Sequence, residues 1–179
     1  LSAIYTVTAS VGTAPNICTD TFTITVTVNP KPSIADVTQA ICTGNTFTVT
    51  PTNTAPDVVP TGTTYTWTVT TPAGITGASN QATAQTSISQ TLSNSTSNSI
   101  VVTYTVTASF GTAPNSCTDT FAINVTVNPE PQIADVVQTI CSGDTFTVTP
   151  TNTAPDVVPT GTTYTWTVAA GAGITGASN

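Results

Sequence analysis

The stretch "TFTVTPTNTAPDVVPTGTTYTWTV" occupies Thr46–Val69 and recurs, letter for letter, at Thr145–Val168. Its two ends alternate strictly. Phe47 and Val49 fall on one side of "TFTVT" with Thr on the other, and Tyr65, Trp67 and Val69 do the same in "TTYTWTV". A period of two with apolar and hydroxyl residues in turn describes a strand packed on one face and wet on the other. The middle, "PTNTAPDVVPTG", is too rich in Pro, Asn, Asp and Gly to continue a ladder and reads as a loop.

Working outward, the same alternation returns in "VVTYTVTA", with Val102, Tyr104 and Val106, and in "TFAINVTV", with Phe121 and Ile123. "TSISQTL" offers Ile88 and Leu92 in a weaker pattern, and "SNSTSNS", Ser93–Ser99, has the least structural signal. Thr fills 46 of the 179 positions, and a β-branched residue stiff at its first torsion favours strands over helices. The expected fold class is therefore all-β, with two-faced sheets closing into sandwiches. The predicted core is Phe47, Val49, Tyr65, Trp67, Val69, Val102, Tyr104, Val106, Phe121 and Ile123.

The duplication extends well beyond the opening stretch. At a constant offset of 99, Tyr5 maps to Tyr104, Cys18 to Cys117, Cys42 to Cys141 and Trp67 to Trp166, and 63 of 80 aligned pairs are identical. That period exceeds the roughly 20–50 residues of solenoids and propellers and matches one β-sandwich domain. The double-proline stretches "NPKP" (Asn29–Pro32) and "NPEP" (Asn128–Pro131) read as linkers, since proline removes ladder donors and stiffens the backbone. Cutting there gives the last strands of one repeat in 1–30, a complete repeat in 31–129 and the first part of another in 130–179. A cut at Asn80 would instead leave 81–179 as one permuted period. The chain opens on Leu1 in mid-pattern and reads as a window of a longer polypeptide.

Charge narrows the function classes. Lys31 is the only basic side chain against eight acids, the net charge is −7, and there is no His. Such a chain cannot neutralise phosphates, which argues against nucleic acid. Without His and with one Lys, no Ser or Thr has an evident general base, so the expectation is a protein that is not an enzyme. No apolar run approaches the roughly 18 residues of a spanning helix. Calcium wants roughly six to eight oxygens in one place, and the scattered acids do not offer that, so no cofactor is expected.

In order along the chain, "ICTGNTFTVTPTN", "TGTTYTWTV", "QTSISQTLSN", "VVTYTVTAS" and "CTDTFAINVTVNPEP" resemble the PKD-like, immunoglobulin-like repeats of Bacteroidota surface proteins. The resemblance covers essentially the whole chain and favours the linker cut. It implies tandem β-sandwich domains in a stalk, adhesin or filament at the cell surface, often exported by the type nine system, with no catalytic residues to carry over.

In that extracellular setting Cys18, Cys42, Cys117 and Cys141 read as disulfide candidates. Local pairs, Cys18 with Cys42 and Cys117 with Cys141, are preferred if each linker is a hairpin turn; Cys42 with Cys117, or a bond between molecules, if domains run in line. The spacings, with no CxxC and no His, do not suit zinc. A second function class is a surface-glycan-binding module using Asn53 and Asp57, and their copies Asn152 and Asp156, in the loop; a third is a spacer attached to a secreted enzyme. Asn94 and Asn124 begin N-glycosylation triplets, and Asp-Thr-Phe at 20–22, 119–121 and 144–146 is similar to a bacterial O-glycosylation motif. Neighbouring copies of the chain are the expected partners: 130–179 and 1–30 are complementary pieces of one repeat, lacking only the counterpart of Gln81–Ser99, and strand exchange between subunits would join them.

Overall fold

A computed structural model describes residues 1–178. Its strands are β1 (Ser2–Val11), β2 (Cys18–Thr27), β3 (Val37–Cys42), β4 (Thr46–Val49), β5 (Thr64–Val69), β6 (Ile75–Thr76), β7 (Gln81–Gln85), β8 (Ile88–Thr91), β9 (Ser93–Asn94), β10 (Ile100–Phe110) and β11 (Cys117–Asn128). No helix is present among the described residues. This is the expected outcome for a chain whose apolar residues recur every second position.

One sandwich-like domain accounts for β3 to β11. Its main sheet has the order β3-β11-β10-β5-β7, and it is mixed: β3 runs parallel to β11, and the other pairs are antiparallel. Across the core lie two short ladders, β4-β8 and β6-β9. The hairpin β10–β11 supplies the floor of the core with Val102, Tyr104, Val106, Ala108, Phe121, Ile123, Val125 and Val127, all buried. Phe47, Val49, Ile75, Ile88 and Leu92 close over it from the second layer, and Tyr65 and Trp67 complete the main sheet. Val69 packs at the margin of this cluster. Phe47 and Tyr104 join the two layers ring to ring, with centroids 5.1 Å apart, and Tyr65 meets Phe121 edge-on at 6.4 Å.

The weakly patterned "TSISQTL" contributes more than its sequence suggests, because Ile88 and Leu92 are completely buried. Between them, Gln90 ties the layers together. Its Oε1 accepts from the Tyr104 hydroxyl at 2.8 Å, and its Nε2 donates to the Ser79 carbonyl at 2.8 Å. The Trp67 indole donates to that same carbonyl at 3.1 Å, so the polar tips of Tyr104 and Trp67 are both satisfied.

Outside this domain the elements stand without a second layer. β1 and β2 form a separate ten-pair hairpin, and residues 133–178 contribute no named strand, only one residue of an isolated bridge between Gln132 and Val157. Sequence at 130–178 that repeats β4 and β5 exactly and β3 at four of six positions therefore does not form a ladder among the described residues. Those strands exist in the complete domain because β11, β10 and β8 pair with them, and no such partner lies beside the second copy.

The disulfide expectation is overturned: all four cysteines are free thiols. In register, Cys42 lies opposite Asn128 at one end of β11, whereas Cys117 begins that strand. Eleven residues at about 3.3 Å each hold those two apart by roughly 36 Å, against a Cα separation near 6 Å in a disulfide. The local pairs fail for the same reason. Cys18 lies opposite Val11 at the far end of the β1–β2 hairpin, and the other end of that hairpin, at Asn29, meets Cys117. Each double-proline stretch continues the chain onward rather than folding it back.

Two measurements follow from the core. Leu92→Ala or Ile88→Ala should cost about 2–5 kcal/mol in denaturant unfolding, because each removes a fully enclosed side chain. Burial pushes the Tyr104 hydroxyl from its usual 10.0 up to about 12. A raised folded-state value favours the neutral phenol, so its contribution to stability is complete below pH 10 and is lost as pH rises toward 12. Thermal unfolding followed across that window should show a falling midpoint, with a shallower fall in Tyr104→Phe.

Candidate functional site

Clusters of hydrogen-bonded polar side chains lie at the two ends of the complete domain. At the first end, the linker after β2 lies against the start of β11. The Asn29 side-chain amide donates to the Asn115 carbonyl at 3.5 Å, and the Cys117 thiol to the Asn29 carbonyl at 3.9 Å. Two carboxylates then fasten the approach to β3: Asp119 accepts from the Ile34 backbone N–H at 3.1 Å, and Asp36 from that of Ala122 at 2.7 Å. The second bond sits one residue before the β3–β11 register begins at Val37 and Ile123 and so extends that ladder. Lys31 reaches Asp119 at 3.9 Å, but its side chain is 68% exposed.

At the opposite end, Asn94 is the hub. Its Nδ2 donates to the carbonyls of Asn98 at 2.8 Å and Val127 at 2.9 Å, its Oδ1 accepts from Thr96, and its backbone N–H donates to the Thr43 hydroxyl at 2.7 Å. Sequence reasoning read this segment as unstructured, and a run of Ser and Asn gives no periodic signal of burial. The one legible hint is the Asn-Ser-Thr triplet, whose Asn and Thr here form a local turn through Oδ1. With both amide hydrogens donated, the Asn94 side chain is engaged in the fold. The other triplet residue, Asn124, accepts from the Thr103 hydroxyl across β10 and β11 at 2.8 Å. A cavity of about 440 Å³, lined by Thr43, Asn94, Thr96, Glu130, Gln132 and Val157, separates this end from the segment that follows.

The candidate ligand loop is shaped by its own side chains. Asn53 accepts from the Val59 N–H at 3.0 Å and Asp57 from the Ala35 N–H at 3.0 Å, and Ser33 and Val58 form a bridge. The second copy repeats every one of these contacts. Asn152 accepts from Val158 at 3.1 Å, Asp156 from Ala134 at 2.9 Å, and Gln132 bridges Val157. Asn152 also donates to Ser97 at 2.8 Å, linking this loop to the Asn94 end of the complete domain. Among the described residues no cluster of three or more His, Cys, Asp or Glu could hold a metal ion. No helix among them is long and apolar enough to cross a membrane.

The sequence profile of the PKD-like domain matches residues 39–131, just over half of the chain and nearly the whole of β3 to β11. The chain belongs to the PKD-like domain family. No curated protein matches it. Both ends of the PKD-like domain are hydrogen-bonded to flanking chain, at Asn29 on one side and at Asn152 on the other. The all-β fold and the family are those of a structural β-domain of a kind found in extracellular proteins.

Three substitutions separate the contacts that matter here. Asp119→Ala leaves a backbone N–H without its acceptor and should cost about 1–3 kcal/mol in urea unfolding. Lys31→Ala removes only an exposed pair and should change stability by less than about 1 kcal/mol. Asn94→Ala removes bonds to Val127 and Asn98 at a nine-tenths-buried position and should resemble Asp119→Ala in size.

Proposed function

We propose that this PKD-like domain is a non-enzymatic structural repeat of an extracellular stalk, adhesin or filament in a Bacteroidota cell, reached by the type nine export route. The observation that carries the reading is the exact recurrence of the loop and its linker contacts. Both copies of "TNTAPDVVPTG" direct Asn and Asp side chains to backbone groups of their own repeat, as they would in units stacked on one plan. The division into 1–30, 31–129 and 130–179 belongs to this reading, with each double proline marking a join.

Several features support it physically. The outward strand faces are Thr-rich, Lys31 is the only basic group, and few side chains are present to repel a like neighbour. The acids that sequence alone made candidates for ligand binding, Asp57 and Asp156, accept from the backbone N–H groups of Ala35 and Ala134. Stability then rests on half-buried strands and backbone bonding, which suits a spacer repeated many times.

Antibody against residues 31–129, applied to intact cells that make the protein, should label the surface without permeabilisation. Labelling that appears only after the envelope is opened would overturn the extracellular assignment. Glycan-array binding abolished by Asn53→Ala with an unchanged unfolding midpoint would replace the structural reading with the glycan-binding one.

A further inference from the structure

The main sheet ends at β7, which has β5 on one side and no strand on the other. A strand so placed offers its outer row of N–H and C=O groups to any other extended chain, and proteins ordinarily guard such a row with charge, proline, a bulge or a covering segment. Charge does not guard this one. From Val58 to Thr118 the sequence contains no Asp, Glu, Lys or Arg, and β7 itself reads Gln81-Ala82-Thr83-Ala84-Gln85, without proline.

Its register is irregular. Tyr65 pairs with Gln85 and Trp67 with Gln81, so Ala82, Thr83 and Ala84, all exposed, stand against Thr66 alone and bulge from the sheet. Thr83, at the centre, has no ladder partner. Its two backbone groups are taken by side chains instead: the N–H donates to Gln81 Oε1 at 3.0 Å, and the carbonyl accepts from Gln85 Nε2 at 3.3 Å. The residue just before the strand behaves likewise. Asn80 Oδ1 accepts from the Val69 N–H at 2.8 Å, where β5 runs on past the start of β7. Three carboxamides thus take backbone groups that a strand ladder would otherwise use.

We propose that Gln81 and Gln85 guard this edge against sideways pairing: by holding both backbone groups of Thr83 they keep β7 from accepting a strand of a second copy of the chain. A carboxamide suits the task because it carries a donor and an acceptor without charge, so one kind of side chain can satisfy an N–H and a carbonyl. A strand arriving at β7 must break both bonds and displace two side chains before it gains any of its own. With the glutamines shortened to Ala those groups stand free, and β7 of one copy can pair antiparallel with β7 of another about Thr83. The two strands are the same, so that contact is isologous and stops at two copies. In the unaltered chain, copies that meet are kept from fusing into one continuous sheet along β7. The inference needs neither an extracellular site nor a role as a repeat, and it can fail while that reading stands.

The test uses all 179 residues under reducing conditions. The Thr83 amide hydrogen should exchange several-fold faster in Gln81→Ala than in the unaltered chain. Gln81→Ala with Gln85→Ala should associate at least about tenfold more tightly in sedimentation velocity, the worth of one or two net backbone hydrogen bonds. Adding Thr83→Pro deletes the N–H that a partner strand would use, at an exposed position with no ladder bond to lose, and should return the double variant to the unaltered sedimentation. Association that proline leaves in place would come from a loosened domain rather than an opened edge and would overturn the proposal. It is overturned equally by a double variant that sediments like the unaltered chain at every concentration, or by a Thr83 amide whose exchange does not quicken in Gln81→Ala.

Discussion

The β10–β11 hairpin carries a continuous apolar face, from Val102 to Ala108 on one strand and from Phe121 to Val127 on the other, and two strands cannot cover such a face by themselves. Everything else in the complete domain answers that need. β3 and β5 flank the hairpin within the sheet, and β4, β6, β8 and β9 close over it. The contrast with β1–β2 isolates the constraint. A hairpin with the same register and nearly the same sequence, but without those neighbours, leaves its Phe and Tyr in water.

Polar contacts then decide how the layers meet. Gln90 holds Tyr104 and, through Ser79, lies beside Trp67, so the aromatic core is fixed by hydrogen bonds as well as by area. Asn94 seals one end of the sandwich and Asp36 with Asp119 the other. None of these groups converges on a reaction centre. They hold backbone segments that would otherwise leave donors unpaired, which is the work expected of polar residues in a structural module.

The strands β4, β5, β10 and β11 were legible because Phe, Val, Tyr and Ile recur at every second position, with mostly Thr between them. The parallel pairing of β3 with β11 was not, because it joins residues more than eighty positions apart and local pattern carries no record of its partner. Asn94 was read only as the start of a glycosylation triplet, and Gln90 was not singled out, because buried polar residues are spelled like loop residues; only their partners distinguish them. The cysteines misled because an extracellular setting favoured disulfides, and the local pairs needed each double-proline linker to be a hairpin turn; all four are free thiols. The loop at Asn53 and Asp57 was recognised as a loop, while the backbone groups it grips were visible only in three dimensions.

The parallel β3–β11 ladder has a mechanical consequence. The chain enters this body just before Val37 and leaves just after Asn128, at opposite ends of two strands joined over six paired positions. Tension applied along the polypeptide drags those neighbours in opposite senses, so their ladder bonds are sheared together instead of being unzipped one at a time. Rupture then requires breaking the whole set at once, which gives the domain a high resistance to being pulled apart from its ends.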